Sequence, residues 1–129
     1  MLGVILVALM TGVTAGAGEQ RGYSFPKRLW TYWNGGEVTM KLFTRLCVHN
    51  MAYYAKKSGW EFHLVTDETL SQFVSLEGLE RMNRMLTESK HHLGMANRAD
   101  IIRLFLLSEH GGMWLDTNSF LLGTLDWVQ

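Results

Sequence analysis

The sequence predicts an α/β fold with a mostly parallel sheet. Short aromatic and β-branched segments alternate with segments of helical spacing, and Gly-containing turns separate them. Their order along the chain is strand, helix, strand, and a helix between two strands is the usual crossover of a parallel pair. The 129 residues, 47% of them apolar and 19% charged, are enough for one globular domain.

The charge balance and the cysteine count of the sequence limit the kinds of partner and of stabilisation that we expect. Twelve Lys and Arg residues balance twelve Asp and Glu residues, so no net field attracts a nucleic acid or an anionic bilayer. We therefore expect no nucleic-acid partner. Cys47 is the single cysteine, so no disulfide can form within the chain and the fold depends on its core.

The N-terminal residues 1–18 are predicted to be a signal peptide or signal anchor. Residues 2–17 carry no charge and end in Ala15-Gly16-Ala17, a small-x-small pattern typical of signal peptidase sites. As a helix, residues 2–18 would span about 26 Å, short of the roughly 30 Å hydrocarbon core, which favours cleavage. This interpretation implies the secretory pathway, with a secreted or membrane-anchored product that contacts a membrane only through this segment.

The same segment has two alternative interpretations, because no Lys or Arg precedes the apolar run. It is then either a mispredicted start or a buried apolar strand. A polar linker, residues 19–24, follows, and residues 25–129 form the predicted folded domain.

The first strand is predicted at Leu29–Trp33, an aromatic and β-branched run that Asn34-Gly35-Gly36 ends. A helix follows as far as Lys57, and Gly59 marks its end. Helical spacing predicts one inward stripe on it: Phe43, Leu46, Cys47, Asn50 and Tyr54.

A second strand is predicted at Trp60–Thr66, where apolar and polar residues alternate. Asp67 is a candidate cap for a short helix over residues 68–73. Helical spacing returns over residues 76–86 and a polar loop follows over residues 89–94. We interpret His91-His92 in that loop as exposed histidines, since no further ligand follows at metal-site spacing.

The strongest predicted helix covers residues 95–110. Gly111-Gly112 is expected to end it with positive φ angles and to start a strand over residues 113–116. Asp116 then lies at the carboxyl end of that strand, where ligands of open parallel sheets bind.

Several segments together resemble the DxD-containing sugar transferases, and most closely the capsular polysaccharide synthesis family. They are Phe25–Glu37 (FPKRLWTYWNGGE), Ala99–Leu104 (ADIIRL), Gly111–Asn118 (GGMWLDTN) and Leu121–Trp127 (LLGTLDW). The resemblance covers nearly all of residues 25–129. It implies a Rossmann-like, GT-A type three-layer sandwich, of which this chain holds the N-terminal half and is truncated at its C-terminus.

The resemblance also implies a metal site. The family's short acidic pair stands here as Asp116-Thr117-Asn118, with an amide in place of the second carboxylate. A divalent cation, Mn²⁺ or Mg²⁺, bridging a diphosphate needs hard oxygen ligands, which Asp116 and Asn118 provide. The lost charge predicts weaker metal binding or fewer protein ligands, and metal-independence stays open. Asp-Thr-Asn is also a good turn sequence.

Three further residues are expected to bind the donor. In the resembling families the positions of Asp100 and Arg103 reach sugar hydroxyls and phosphate. Their spacing of three on a helix also allows a simple surface pair. Trp33 matches the family position that stacks on the nucleotide base, next to Gly35. Trp30 and Trp33 have odd separation, so they face opposite sides of a strand and at most one of them is expected to serve the ligand. Core packing is the alternative role for Trp33.

These features predict a glycosyltransferase that moves a sugar from a nucleotide-diphosphate donor to a carbohydrate acceptor, assisted by a cation at Asp116. No catalytic residue is assigned. The alternative is a non-enzymatic nucleotide- or carbohydrate-binding module or an inactive transferase fragment, which the Asp-Thr-Asn departure would also suit.

Overall fold

The computed structural model describes residues 6–8, 24–88 and 98–128. Within them the chain forms strands, α-helices and two short 3-10 helices. The strands are β1 (Leu6–Ala8), β2 (Arg28–Tyr32), β3 (Glu61–Val65) and β4 (Gly112–Trp114). The α-helices are α1 (Leu42–Lys57), α2 (Leu76–Glu88) and α3 (Arg98–His110), and the 3-10 helices are Glu37–Thr39 and Leu70–Gln72.

The strands form one sheet in the order β1-β4-β2-β3. β2 is parallel to both β3 and β4, so the α/β fold with a mostly parallel sheet is confirmed. The chain runs from β2 to β3 on one side and then crosses to β4 on the other side. The strand order therefore reverses at β2, which makes the crevice between β2 and β4 a topological switch point.

Part of the apolar N-terminal segment pairs with this sheet. Leu6–Ala8 is antiparallel to β4, with Leu6 opposite Trp114 and Ala8 opposite Gly112. This pairing agrees with the apolar-strand alternative for these three residues. Residues 1–5 and 9–23 lie outside the described residues, so the signal peptide or anchor stays a prediction. In the described part of the chain, no helix is both long and apolar enough to cross a membrane.

Two apolar clusters pack on opposite faces of the sheet. Adjacent strand residues point to opposite faces, and accordingly Leu29 and Met113 belong to one cluster while Trp30 and Trp114 belong to the other. The first cluster includes residues of α1, and the second includes residues of α2 and α3. The sheet therefore lies between helical layers, as a Rossmann-like sandwich requires.

The buried stripe of α1 differs from the predicted one. Cys47, Met51 and Ala55, spaced by four, are fully buried, whereas Phe43 and Leu46 are 65% and 54% exposed. Helical spacing identifies neighbouring apolar stripes but not which of them faces the sheet. Here the stripe that includes a small residue lies against the strands. Burial raises the pKa of the Cys47 thiol, so the single cysteine is a core residue.

The turn into β4 agrees with the prediction. Gly111 and Gly112 have φ angles of 65° and 97°, values that side-chain-bearing residues rarely adopt. A Cβ at Gly112 would lie 2.5 Å from the carbonyl oxygen of Arg28. The second glycine is therefore required by the close approach of β4 to β2.

Candidate functional site

A polar cavity of about 630 Å³ lies at the carboxyl ends of the three parallel strands. Its volume is within the usual range for a small-molecule site. Segments that follow β2, β3 and β4 form its wall together with the first turn of α3. The lining residues are Tyr32, Trp33, Asn34, Thr44, Asp67, Arg98, Ala99, Asp100, Trp114, Asp116, Thr117 and Asn118. Four of the five predicted site residues are in this set.

Asp116 lies two residues beyond β4 and is partly exposed in the cavity. Its Oδ1 accepts a hydrogen bond of 2.9 Å from the indole Nε1 of Trp114, a side chain that is only 2% exposed. Its carbonyl oxygen accepts from the Ser119 amide at 2.9 Å. The segment that begins at Asp116 is therefore both a turn and part of the cavity wall. The buried indole of Trp114 holds the Asp116 carboxylate in place.

The protein offers few ligands to a cation at this point. Asn118 is exposed and lines the cavity close in sequence to Asp116. Residues 24–88 and 98–128 contain no group of three or more His, Cys, Asp or Glu side chains that could hold a metal ion. One carboxylate and one amide fit a cation whose remaining ligands come from a diphosphate and water. The cation itself stays a prediction. His91-His92 lies outside the described residues.

Asp100 and Arg103 have different positions relative to the cavity. Asp100 lines it from the first turn of α3. Arg103 is not on the wall, and its Nη2 donates to Asp100 Oδ1 at 2.7 Å from a side chain that is 19% exposed. The pairing that their spacing allows is therefore present, and it holds the Asp100 carboxylate at the cavity. Direct contact of Arg103 with a donor stays a prediction.

The two tryptophans of the first strand segment separate as predicted. Trp30 is 2% exposed and packs in the core, where its Nε1 donates to the Gly111 carbonyl at 2.9 Å. Trp33 follows β2 and lines the cavity. Its backbone amide still bonds to the Val65 carbonyl at 3.0 Å, so β3 supports the position of Trp33.

Among the cavity residues that were not predicted as site residues, Tyr32, Asp67 and Arg98 form a hydrogen-bonded group. The Tyr32 hydroxyl donates to Asp67 Oδ1 at 2.7 Å, and Arg98 Nε donates to the same oxygen at 3.3 Å. Burial, and then the hydrogen bond to Asp67, raise the pKa of Tyr32. The hydrogen bond with Tyr32 raises the pKa of Arg98. Both donors therefore keep their protons and stay bonded to the carboxylate.

The predicted capping role of Asp67 is wrong. The short helix after β3 begins at Leu70 without a side-chain cap, and mutual bonds between Thr66 and Thr69 close the turn before it. Asp67 is thereby free to reach Tyr32 and Arg98. The signal for this role was present in the sequence, because Asp67 follows a predicted strand just as Asp116 does.

The three carboxylates of the cavity differ in electrostatic environment. Asp67 has a cationic partner in Arg98, and Asp100 has one in Arg103. Asp116 receives only the neutral indole N–H of Trp114 from the described residues. Its negative charge is therefore the one that is left to attract a cation.

The fold and the cavity together define an α/β domain with a ligand site at its topological switch point. The family model for capsular polysaccharide synthesis proteins matches residues 17–128, and the chain therefore belongs to the capsular polysaccharide synthesis protein family. Membership of this family indicates a role in capsular polysaccharide synthesis. No curated protein and no solved structure matches the chain significantly.

Proposed function

We propose that this cavity binds a nucleotide-diphosphate sugar and that the protein takes part in transferring the sugar to a carbohydrate hydroxyl. The observation that carries the proposal is the common location of Trp33, Asp100 and Asp116. They come from three separate segments, and all line one polar cavity at the switch point of the sheet. An aromatic ring, a hydroxyl acceptor and a carboxylate without a cationic partner among the described residues are groups that suit such a donor.

The strand order suggests which end of the donor lies near which strand. β4 and β3 flank β2, so their ends lie about 10 Å apart across the cavity. The unpaired carboxylate of Asp116 suits a cation and diphosphate at the β4 side. The nucleoside then lies over Trp33 towards Asp67 on the β3 side, where a carboxylate can accept from a base N–H or a ribose hydroxyl.

The residues around Asp116 have separate tasks in this proposal. Trp114 fixes one carboxylate oxygen, which leaves the other oxygen and the Asn118 amide for a divalent cation. A bound cation would neutralise negative charge on the leaving diphosphate. Asp100, which Arg103 holds in place, accepts from the hydroxyls of the sugar.

Titration of the whole chain with UDP and with GDP, each with and without Mn²⁺, tests the proposal by calorimetry. We expect saturable binding of at least one nucleotide that strengthens when Mn²⁺ is present. The melting temperature should rise with ligand concentration, because a ligand selective for the folded state stabilises it. If neither nucleotide binds at millimolar concentration in the presence of the cation, the proposal is wrong.

A donor-hydrolysis assay separates an enzyme from a binding module. Incubation with UDP-sugars and GDP-sugars and Mn²⁺, followed by detection of released nucleotide diphosphate, reports turnover to water or to an added acceptor sugar. Release above the no-protein control supports the transferase. Tight binding with no release would favour the alternative, a non-enzymatic nucleotide- or carbohydrate-binding module.

A further inference from the structure

The indole of Trp33 is held from outside the cavity by a side chain that lines no part of it. Trp33 Nε1 donates to Thr39 Oγ1 at 2.8 Å. Thr39 is the last residue of the 3-10 helix Glu37–Thr39, six residues further along the chain. An indole has a single donor and no acceptor, so this bond uses its whole hydrogen-bonding capacity.

The Thr39 hydroxyl is itself oriented. Its Oγ1 donates to the Gly36 carbonyl at 2.9 Å, and the Thr39 amide donates to the same carbonyl at 3.2 Å. A hydroxyl has one proton and two lone pairs. Because the proton is directed to Gly36, the lone pairs are left for the indole of Trp33.

Gly35 leaves the space that this arrangement occupies. A Cβ at Gly35 would lie 2.7 Å from both Cγ2 and Oγ1 of Thr39, closer than real Cβ contacts. Gly35 has no positive φ angle, so the constraint there is the threonine side chain and not the backbone conformation. Any side chain at position 35 would displace the hydroxyl that holds Trp33.

We infer that Thr39 is a positioning residue, which fixes the indole of Trp33 as a preformed stacking surface for the nucleobase of the donor. The inference rests on the proposed function and adds a residue that touches neither donor nor cavity. A fixed ring loses less conformational freedom when a base stacks on it, and preorganisation of this kind strengthens binding. Thr39 should therefore affect nucleotide affinity only through the indole N–H.

A double-mutant cycle on the full chain isolates that route. Thr39→Val has nearly the same shape as threonine but offers no lone pair, and Thr39→Ser retains the hydroxyl. Trp33→Phe retains an aromatic ring but has no N–H. With UDP and GDP as probes in the presence of Mn²⁺, we expect Thr39→Val to weaken binding by about threefold to tenfold. Thr39→Ser should bind like wild type, and Thr39→Val should have no further effect in the Trp33→Phe background.

Three more measurements complement that cycle. The Trp33 indole N–H signal in a ¹⁵N-¹H spectrum, assigned by its loss in Trp33→Phe, should shift in Thr39→Val and stay in place in Thr39→Ser. Gly35→Ala should weaken nucleotide binding as Thr39→Val does, because the new methyl group pushes the hydroxyl away. Where the wild type turns over a donor, KM should rise in both variants with little change in kcat.

The outcomes separate the inference from the proposed function. If Thr39→Val weakens binding equally in the wild-type and Trp33→Phe backgrounds, the effect does not pass through the indole and the inference is wrong. If Trp33→Ala abolishes binding but Thr39→Val leaves both affinity and the indole signal unchanged, the inference is also wrong while the donor site stands. Absence of nucleotide binding in the wild type overturns both.

Discussion

The amino ends and the carboxyl ends of the parallel strands differ in how their polar side chains are used. At the amino ends, Arg28 donates to Glu61 at the start of β3 and to the His110 carbonyl just before β4. The indole of Trp30 is bonded to Gly111 and stacks on His63 at 4.4 Å. At the carboxyl ends, the strands lead instead into polar side chains that face a cavity.

The contrast indicates that side chains at the amino ends of the strands stabilise the fold, whereas side chains at the carboxyl ends are available to bind a ligand. Polar groups at the amino ends are paired with one another across all three strands. At the carboxyl ends the Asp116 carboxylate has no cationic partner among the described residues. Substitutions at the carboxyl ends should therefore change ligand binding with little effect on unfolding, and those at the amino ends should do the reverse.

The largest effect is expected from Asp116→Asn. The amide oxygen can still accept from Trp114, but the negative charge that attracts the cation is lost. Cation-dependent nucleotide binding or turnover should fall by about 100-fold or more, and the melting temperature should change little. Calorimetry with UDP or GDP and Mn²⁺ measures the loss. Asp126→Asn is the matched control, because Asp126 is an exposed carboxylate outside the cavity. An equal loss of binding in Asp126→Asn would contradict the assignment of Asp116 as the cation ligand.

Gly112→Ala tests the amino ends. Its φ of 97° and the 2.5 Å approach of a Cβ to Arg28 add strain to a backbone contact, and we expect a loss of unfolding free energy of about 3 kcal/mol. Gly59→Ala is the control, because Gly59 has a φ of 70° but a Cβ added there would meet no atom within 4 Å. It should lose only about 1 kcal/mol. Urea unfolding measures both, and equal losses would contradict the close-approach argument.

Asp67→Asn should have a moderate effect at the carboxyl ends. The variant keeps an acceptor for Tyr32 but loses the charge that pairs with Arg98, so nucleotide affinity should fall by about threefold to tenfold. Stability should change little, since the Asp67 and Arg98 side chains are 47% and 56% exposed. The neighbouring Glu68→Gln serves as control in the same titration. An Asp67→Asn variant with full affinity and lowered stability would assign this carboxylate to structure alone.

The smallest effect is expected from Glu61→Gln. The hydrogen bond from Arg28 lowers the pKa of Glu61 below its ordinary value of 4.5. A carboxyl whose folded pKa is depressed adds stability above the ordinary value and loses it as pH falls through the folded pKa. The wild type should therefore melt slightly above Glu61→Gln at pH 7, and the gap should narrow as the pH falls below the ordinary value of 4.5. If the difference in melting temperature between the two proteins does not change with pH, the charge of Glu61 does not contribute to that difference.

Much of the fold was predictable because local rules determine it. The alternation of strand and helix, the glycines after α3 and the separation of a core Trp30 from a cavity-lining Trp33 all follow from patterns along one segment. The spacing along α1 did not show which side of the helix is buried. Cys47 of the predicted stripe is fully buried, but Phe43 and Leu46 are exposed, because the buried side depends on how the helix packs on strands that are distant in the chain.

The site was predictable where a polar residue follows a strand and a resemblance supports it, as for Asp116. Asp67 follows a strand in the same way, but its partners Tyr32 and Arg98 lie 35 and 31 residues away in the chain. The local sequence therefore favoured a helix-capping role for Asp67. In the structure, Thr66 and Thr69 make the hydrogen bonds that close this turn.

The amino-acid sequence by itself determined the fold class, the family resemblance and the residue types that a nucleotide sugar would need. Only the tertiary structure decided that Trp33, Asp100 and Asp116 line one cavity and that Arg103 is not on its wall. It also decided that, among the described residues, Asp116 is the cavity carboxylate without a cationic partner. The physical reason is that residue type and helical spacing are local properties, whereas a shared cavity and the pairing of Asp67 with Arg98 depend on segments that are distant in the chain.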